Sequence, residues 1–154
     1  MAYIFFYSSI AVLLITFLIC CNFRKLKLPN IIIGLTTVGY SLISDILLGD
    51  QFKLFYYINP QVSTLYMILS AVLIYAVLNI AYTMFLPKKH KNALIYTVGW
   101  IVALLLFEYA SLLTKALIFT GWKPFPWSIV TYIVAYVWIY FFYSFLTKKI
   151  PAKI

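Results

Sequence analysis

Only three acidic residues occur among the 154 of this sequence, Asp45, Asp50 and Glu108, against twelve Lys and Arg. Asp45 and Glu108 lie inside long apolar runs. An ionisable group in apolar surroundings costs several kcal/mol unless something nearby uses it, so the two carboxylates are the first residues to ask about. Gly34, Thr37, Ser41 and Asp45 recur at helical spacing, which draws one small, polar stripe along a helix. Thr97, Glu108, Ser111 and Lys115 fall within about a third of the circumference of another. If the two stripes face each other, Asp45 and Glu108 form a shared site for a proton or cation, with Thr37, Ser41, Ser111 and Lys115 as further binding candidates. The same pattern also has a structural use. Glu108 can bond Lys115, Lys123 or a tyrosine hydroxyl while the Gly34 stripe packs helices, as small residues do.

Other chemistry is poorly supplied. No serine–histidine or paired-aspartate arrangement of an intramembrane protease is present, and no glycine loop for phosphate, so no catalytic residue is assigned and the chain reads as a non-enzyme. Cys20 and Cys21 are adjacent, and with His90 they are too few for a metal site; no metal and no cofactor is expected. His90 belongs to a lysine cluster. Asn79 suits hydrogen bonding between helices. Trp122 and Trp127 suit an interfacial belt, or equally the aromatic mouth of a site for an amphiphile.

The elements that must hold these residues are membrane spans. Hydrophobic residues make up 66% of the chain and charged ones 10%, too little polar surface to coat a water-soluble globule. Apolar runs of about twenty residues suit a hydrocarbon layer about 30 Å thick. Five are expected, at about 2–21, 31–48, 62–86, 93–113 and 128–146, forming one all-α transmembrane domain over 1–154. The first run has neither a basic flank before it nor a cleavage pattern after it, so it reads as a retained span. Segments 49–60 and 114–127 read as loops, the second aromatic-rich and partly re-entrant.

Charge sets the expected orientation. Arg24, Lys25, Lys27, Lys88, Lys89, Lys91, Lys148, Lys149 and Lys153 fall on one side of a five-span arrangement, and only Lys53, Lys115 and Lys123 on the other. The positive-inside rule then puts the N-terminus outside and the C-terminus in the cytoplasm. The net charge of +9 is spread over these short clusters, with no basic face for nucleic acid. On that topology Asp45 and Glu108 lie about 5 and 8 Å below the outer ends of their helices, both in the outer leaflet.

Leu28-Pro29 opening a helix, Asp45 near its far end, the basic stretch after the third span, Trp100, Phe107-Glu108-Tyr109, Gly121-Trp122 and Trp127-Ser128 together resemble an uncharacterised family of small membrane proteins from spore-forming Gram-positive bacteria. The likeness covers roughly residues 28–148. It implies a multi-pass protein of the plasma membrane and points to Asp45 and Glu108, but it names no reaction. The expected function is an outer-leaflet polar pocket for assembly, or for binding a small ligand, lipid or partner helix. The main alternative is a transporter or channel subunit using the carboxylates as a proton or cation site, and an enzyme acting on lipid is a third. Expected partners are membrane lipid and a second copy or another membrane protein.

Overall fold

The structure, a computed structural model, describes residues 1–150; Lys153 of the third basic cluster lies outside the described residues. Five helices, each long and apolar enough to cross a membrane, make up the bundle: α1 (Ala2–Phe23), α2 (Leu28–Gln51), α3 (Pro60–Phe85), α4 (His90–Leu113) and α5 (Pro124–Lys149). Several ends extend past the expected spans, and local chemistry explains them. At α2 the Asn30 side chain accepts the Lys27 N–H, and Pro29 sits in the first turn, where its missing N–H costs nothing. Asn59 accepts the Gln61 N–H at the start of α3. His90, of the lysine cluster, is exposed at the start of α4 and bonds the Tyr140 hydroxyl of α5 at 2.6 Å.

The two segments read as loops do not stay apart. Phe55–Tyr57 (β1) and Leu117–Phe119 (β2) pair antiparallel, with Phe55 opposite Phe119 and Tyr57 opposite Leu117. The Leu54 carbonyl accepts the N–H groups of Thr120, Gly121 and Trp122 at 2.9–3.0 Å, and the Thr120 hydroxyl bonds the Lys53 carbonyl. The second segment is thus tied to the first, with Ala116 and Leu117 buried. Its backbone groups find partners in the first segment, which meets the same need for satisfied polar groups. Residues 124–127, expected as loop, lead into α5 through a kink at Phe125, whose backbone is not helical.

α2 and α3 make the closest helix pair, because Gly34 lets them approach: a Cβ there would stand 2.6 Å from the Ile80 Cδ1. Thr37 and Ser41, on the same stripe, are buried. One apolar cluster (Phe6, Tyr66, Met67, Ile74, with Phe55 and Leu117) locks α1 and α3 under the ribbon. A second (Ile33, Tyr82, Leu104, Ile139, Leu146) joins α2 to α5 toward the other end. At that basic end Arg24 donates to the Met84 carbonyl at 3.3 Å and lies 5.3 Å from the centre of the Phe85 ring, covering the C-terminus of α3. Val12, Leu35, Ile43, Val102, Leu106, Val134 and Phe141 all point outward, spread over four helices. A surface of that kind wants lipid.

Candidate functional site

Three helices depart from α-geometry on the ribbon side of the bundle. α2 widens to a π-helix at Ile46–Gln51 and α3 at Ser70–Tyr75, whereas α5 opens with a kink at Phe125, whose φ of −101° and ψ of 125° are not helical. Wide turns of this type recur at functional sites because they re-aim side chains that an α-helix would point elsewhere. Here they border a single cavity of about 190 Å³. A water occupies roughly 10–15 Å³ of such space, so the volume holds more than a lone solvent molecule.

The cavity is acidic and aromatic. Asp45 and Glu108 both line it, with Ser41 and Ser44 from α2, Ser70 and Tyr75 from α3, Ser111 from α4, and Tyr132 and Tyr136 from α5. Phe5 and Phe6 of α1, Phe107, and Phe55 and Phe119 of the ribbon complete the wall, and no Lys or Arg is among the lining residues.

The two carboxylates are treated very differently. Glu108 is held by α5: its Oε1 accepts the Ser128 hydroxyl and its Oε2 the Tyr132 hydroxyl, each at 2.7 Å, and Trp122 Nε1 donates to the Ser128 Oγ at 3.0 Å. Of the partners foreseen for Glu108, the tyrosine hydroxyl is the one it takes. Asp45, at the point where α2 widens, keeps its Oδ2 buried without a hydrogen-bond partner. The Ser70 hydroxyl is also buried and unpartnered. Tyr57 and Tyr75 bond each other through their hydroxyls at 2.9 Å, within electrostatic reach of Asp45. Burial first, and the Asp45 charge second, push the Tyr57 hydroxyl of the ribbon well above the usual tyrosine range, so it stays neutral.

Part of the cavity wall is a polar layer that ties four helices together. Asn79 of α3 donates to the Thr37 Oγ1 and the Tyr40 hydroxyl of α2, both at 3.1 Å, and accepts the Tyr136 hydroxyl of α5 at 2.7 Å. Trp100 Nε1 of α4 donates to the same tyrosine oxygen at 2.8 Å. Nearer the basic end the Asn30 amide donates to Thr83 and Tyr143. The bonding role expected of Asn79 is the one it performs.

Of the residues singled out from the sequence, Asp45, Glu108, Ser41, Ser111 and Trp122 come together around the cavity. Thr37 sits one layer lower, bonded to Asn79. Lys115 does not join them. Its place on the Glu108 face assumed that the helix continues, but α4 stops at Leu113, and Lys115 is an exposed turn residue with φ 60°. Trp127 is also outside the cavity, 55% exposed on the first turn of α5, where it faces outward as a belt residue does. Sequence reasoning missed Ser70, Tyr75, Tyr132 and Ser128. Ser128, Tyr132 and Tyr136 repeat every four residues and were legible as a stripe; Ser70 and Tyr75 are five apart, a spacing that shares a face only on a π-turn.

A second cavity, about 380 Å³ and lined by apolar side chains such as Leu13, Phe17, Ala81 and Phe85, lies between α1, α3 and α4 and offers little polar chemistry to select a ligand. Among the described residues no group of three or more His, Cys, Asp or Glu is placed to hold a metal. No protein-family model, no curated protein and no solved structure matches the chain.

Proposed function

We propose that this chain is a multi-pass protein of the plasma membrane, N-terminus outside and C-terminus cytoplasmic, whose ribbon-capped cavity in the outer leaflet binds a small ligand. The observation that carries the reading is that Asp45 and Ser70, whose buried Oδ2 and Oγ have no hydrogen-bond partner, both belong to the wall of one cavity. A buried polar group without a partner costs about 1–3 kcal/mol, more if charged, and a ligand that satisfies both recovers that cost. The orientation rests on the basic clusters, which gather at the end opposite the ribbon. The motif likeness to the family of spore-forming bacteria is in keeping with the location.

The test is native mass spectrometry of the full chain extracted in mild detergent. A small-molecule adduct on the wild type that is lost in Ser41→Phe, which fills the cavity, is the expected result. No adduct on the wild type, or one retained by Ser41→Phe, overturns the reading. A transport reading draws on the polar layers at Asn79 and Asn30, which continue from the cavity toward the basic end. Proton or monovalent-cation flux in liposomes, abolished by Asp45→Asn, is the result that favours it.

A further inference from the structure

Resting on the ligand-binding reading, we infer that the cavity takes an organic ammonium carried on an apolar body, admitted sideways between α2 and α5. Its charge balance selects the sign of the ligand. Two carboxylates line the space and no cationic side chain does, so an anion finds no counter-charge there. The state of each carboxylate then selects the position. Glu108 has both oxygens occupied by Ser128 and Tyr132, whereas Asp45 has a buried oxygen with nothing bonded to it. The cation therefore sits against Asp45, in the space that Ser70 also lines.

The walls select what kind of cation. A calcium ion asks for six to eight oxygens, and magnesium for near-ideal octahedral geometry. This cavity offers one carboxylate without hydrogen-bond partners, and no metal-holding cluster exists among the described residues. It offers instead the rings of Tyr57, Tyr75, Phe55, Phe107 and Tyr132, surfaces that attract an alkylammonium through their π faces while sheltering its carbon groups. An organic ammonium needs one counter-ion and an aromatic enclosure, and both are present.

The way in follows from exposure. Ser44 of α2 and Thr131 of α5 line the cavity and are exposed at the same time, so the space opens between these two helices toward the surrounding bilayer. A hydroxyl on each lip suits the passage of a polar head, and the apolar body of the ligand can remain in the cleft or in lipid. The ammonium can belong to a free amphiphilic amine or to an amine-bearing lipid headgroup. The recognising chemistry is the same.

The experiment is isothermal calorimetry of the full chain in dodecyl maltoside, a detergent that carries no ammonium. The probe is benzyltrimethylammonium, with uncharged benzyl methyl ether and anionic benzenesulfonate as comparisons. Saturable binding of the cation alone is expected, weakened about tenfold or more in Asp45→Asn, the loss of one partner of a charged contact, and largely restored in Asp45→Glu. Thermal unfolding of each variant shows that it is folded. Competition by added phosphatidylethanolamine assigns the natural source to a headgroup; its absence assigns it to a free amine. Equal binding of the ether, or of the cation to Asp45→Asn, overturns the ammonium inference while leaving a ligand cavity in place. If none of the three probes binds although the wild type carries an adduct lost in Ser41→Phe, the inference also fails and the cavity reading stands. If that adduct is missing too, both fall.

Discussion

Replacing Asn79 by Leu removes the node on which three helices converge. The side chain makes three bonds to other helices, to Thr37, Tyr40 and Tyr136. Side-chain hydrogen bonds between membrane helices average about 0.6 kcal/mol and reach about 1.7, so losing all three predicts a loss of about 2 kcal/mol, with about 5 as the ceiling. Leu keeps the branched shape and leaves no cavity but is the larger side chain, so any overpacking adds to the loss and the double-mutant cycle isolates the bonding part. Reversible unfolding in mixed dodecyl maltoside–SDS micelles, followed by circular dichroism, measures it. Tyr136→Phe supplies the second arm, since its hydroxyl bonds both Asn79 and Trp100. The double-mutant cycle should return a coupling of about 0.6–1.7 kcal/mol between 79 and 136. A loss below about 0.5 kcal/mol in Asn79→Leu, or a coupling of zero, refutes the idea that this layer holds the helices in register.

Gly34→Leu drives a side chain into Ile80 and should destabilise the α2–α3 pair by about 1–3 kcal/mol, with Ile80→Ala giving part of it back in the same unfolding assay. Tyr132→Phe strips Glu108 of one of its two donors and should cost about 1–3 kcal/mol, whereas Glu108→Gln, whose amide can still bond both hydroxyls, should cost less; the order of the two melting temperatures checks this. With Cys20 and Cys21 changed to Ser, an impermeant maleimide added to intact cells should label Lys53→Cys directly and Lys88→Cys only after permeabilisation, and the reverse pattern would invert the proposed orientation.

How much of this was legible depends on the scale of the feature. The five spans are written in runs of some twenty apolar residues, a signal so long that errors of a few residues at the ends do not disturb it. The α2 stripe was equally plain, because Gly34, Thr37 and Ser41 keep α-helical spacing and the helix between them is regular. Legibility failed where the backbone leaves that period. Nothing in Ser70–Tyr75 announces a π-turn, so Ser70 and Tyr75 could not be put on one face, and Lys115, two residues past the expected end of its span, was put on the Glu108 face as though the helix ran on. The pairing of Phe55–Tyr57 with Leu117–Phe119 was hidden for a different reason: the segments are about sixty residues apart, and each alone is three residues of strand among aromatics that equally suit a membrane interface. Charge counting could bring Asp45 and Glu108 to the same depth. It could not say that one would be saturated and the other left open.

That contrast is the centre of the account, and thiol chemistry at Ser70 tests it most directly. In a Cys20→Ser, Cys21→Ser background, Ser70→Cys should react from the outside with a trimethylammonium methanethiosulfonate about tenfold or more faster than with the sulfonate reagent, and Asp45→Asn should erase most of that preference. Equal rates for the two reagents, or a preference that survives Asp45→Asn, would contradict an open carboxylate in a cation-selective cavity.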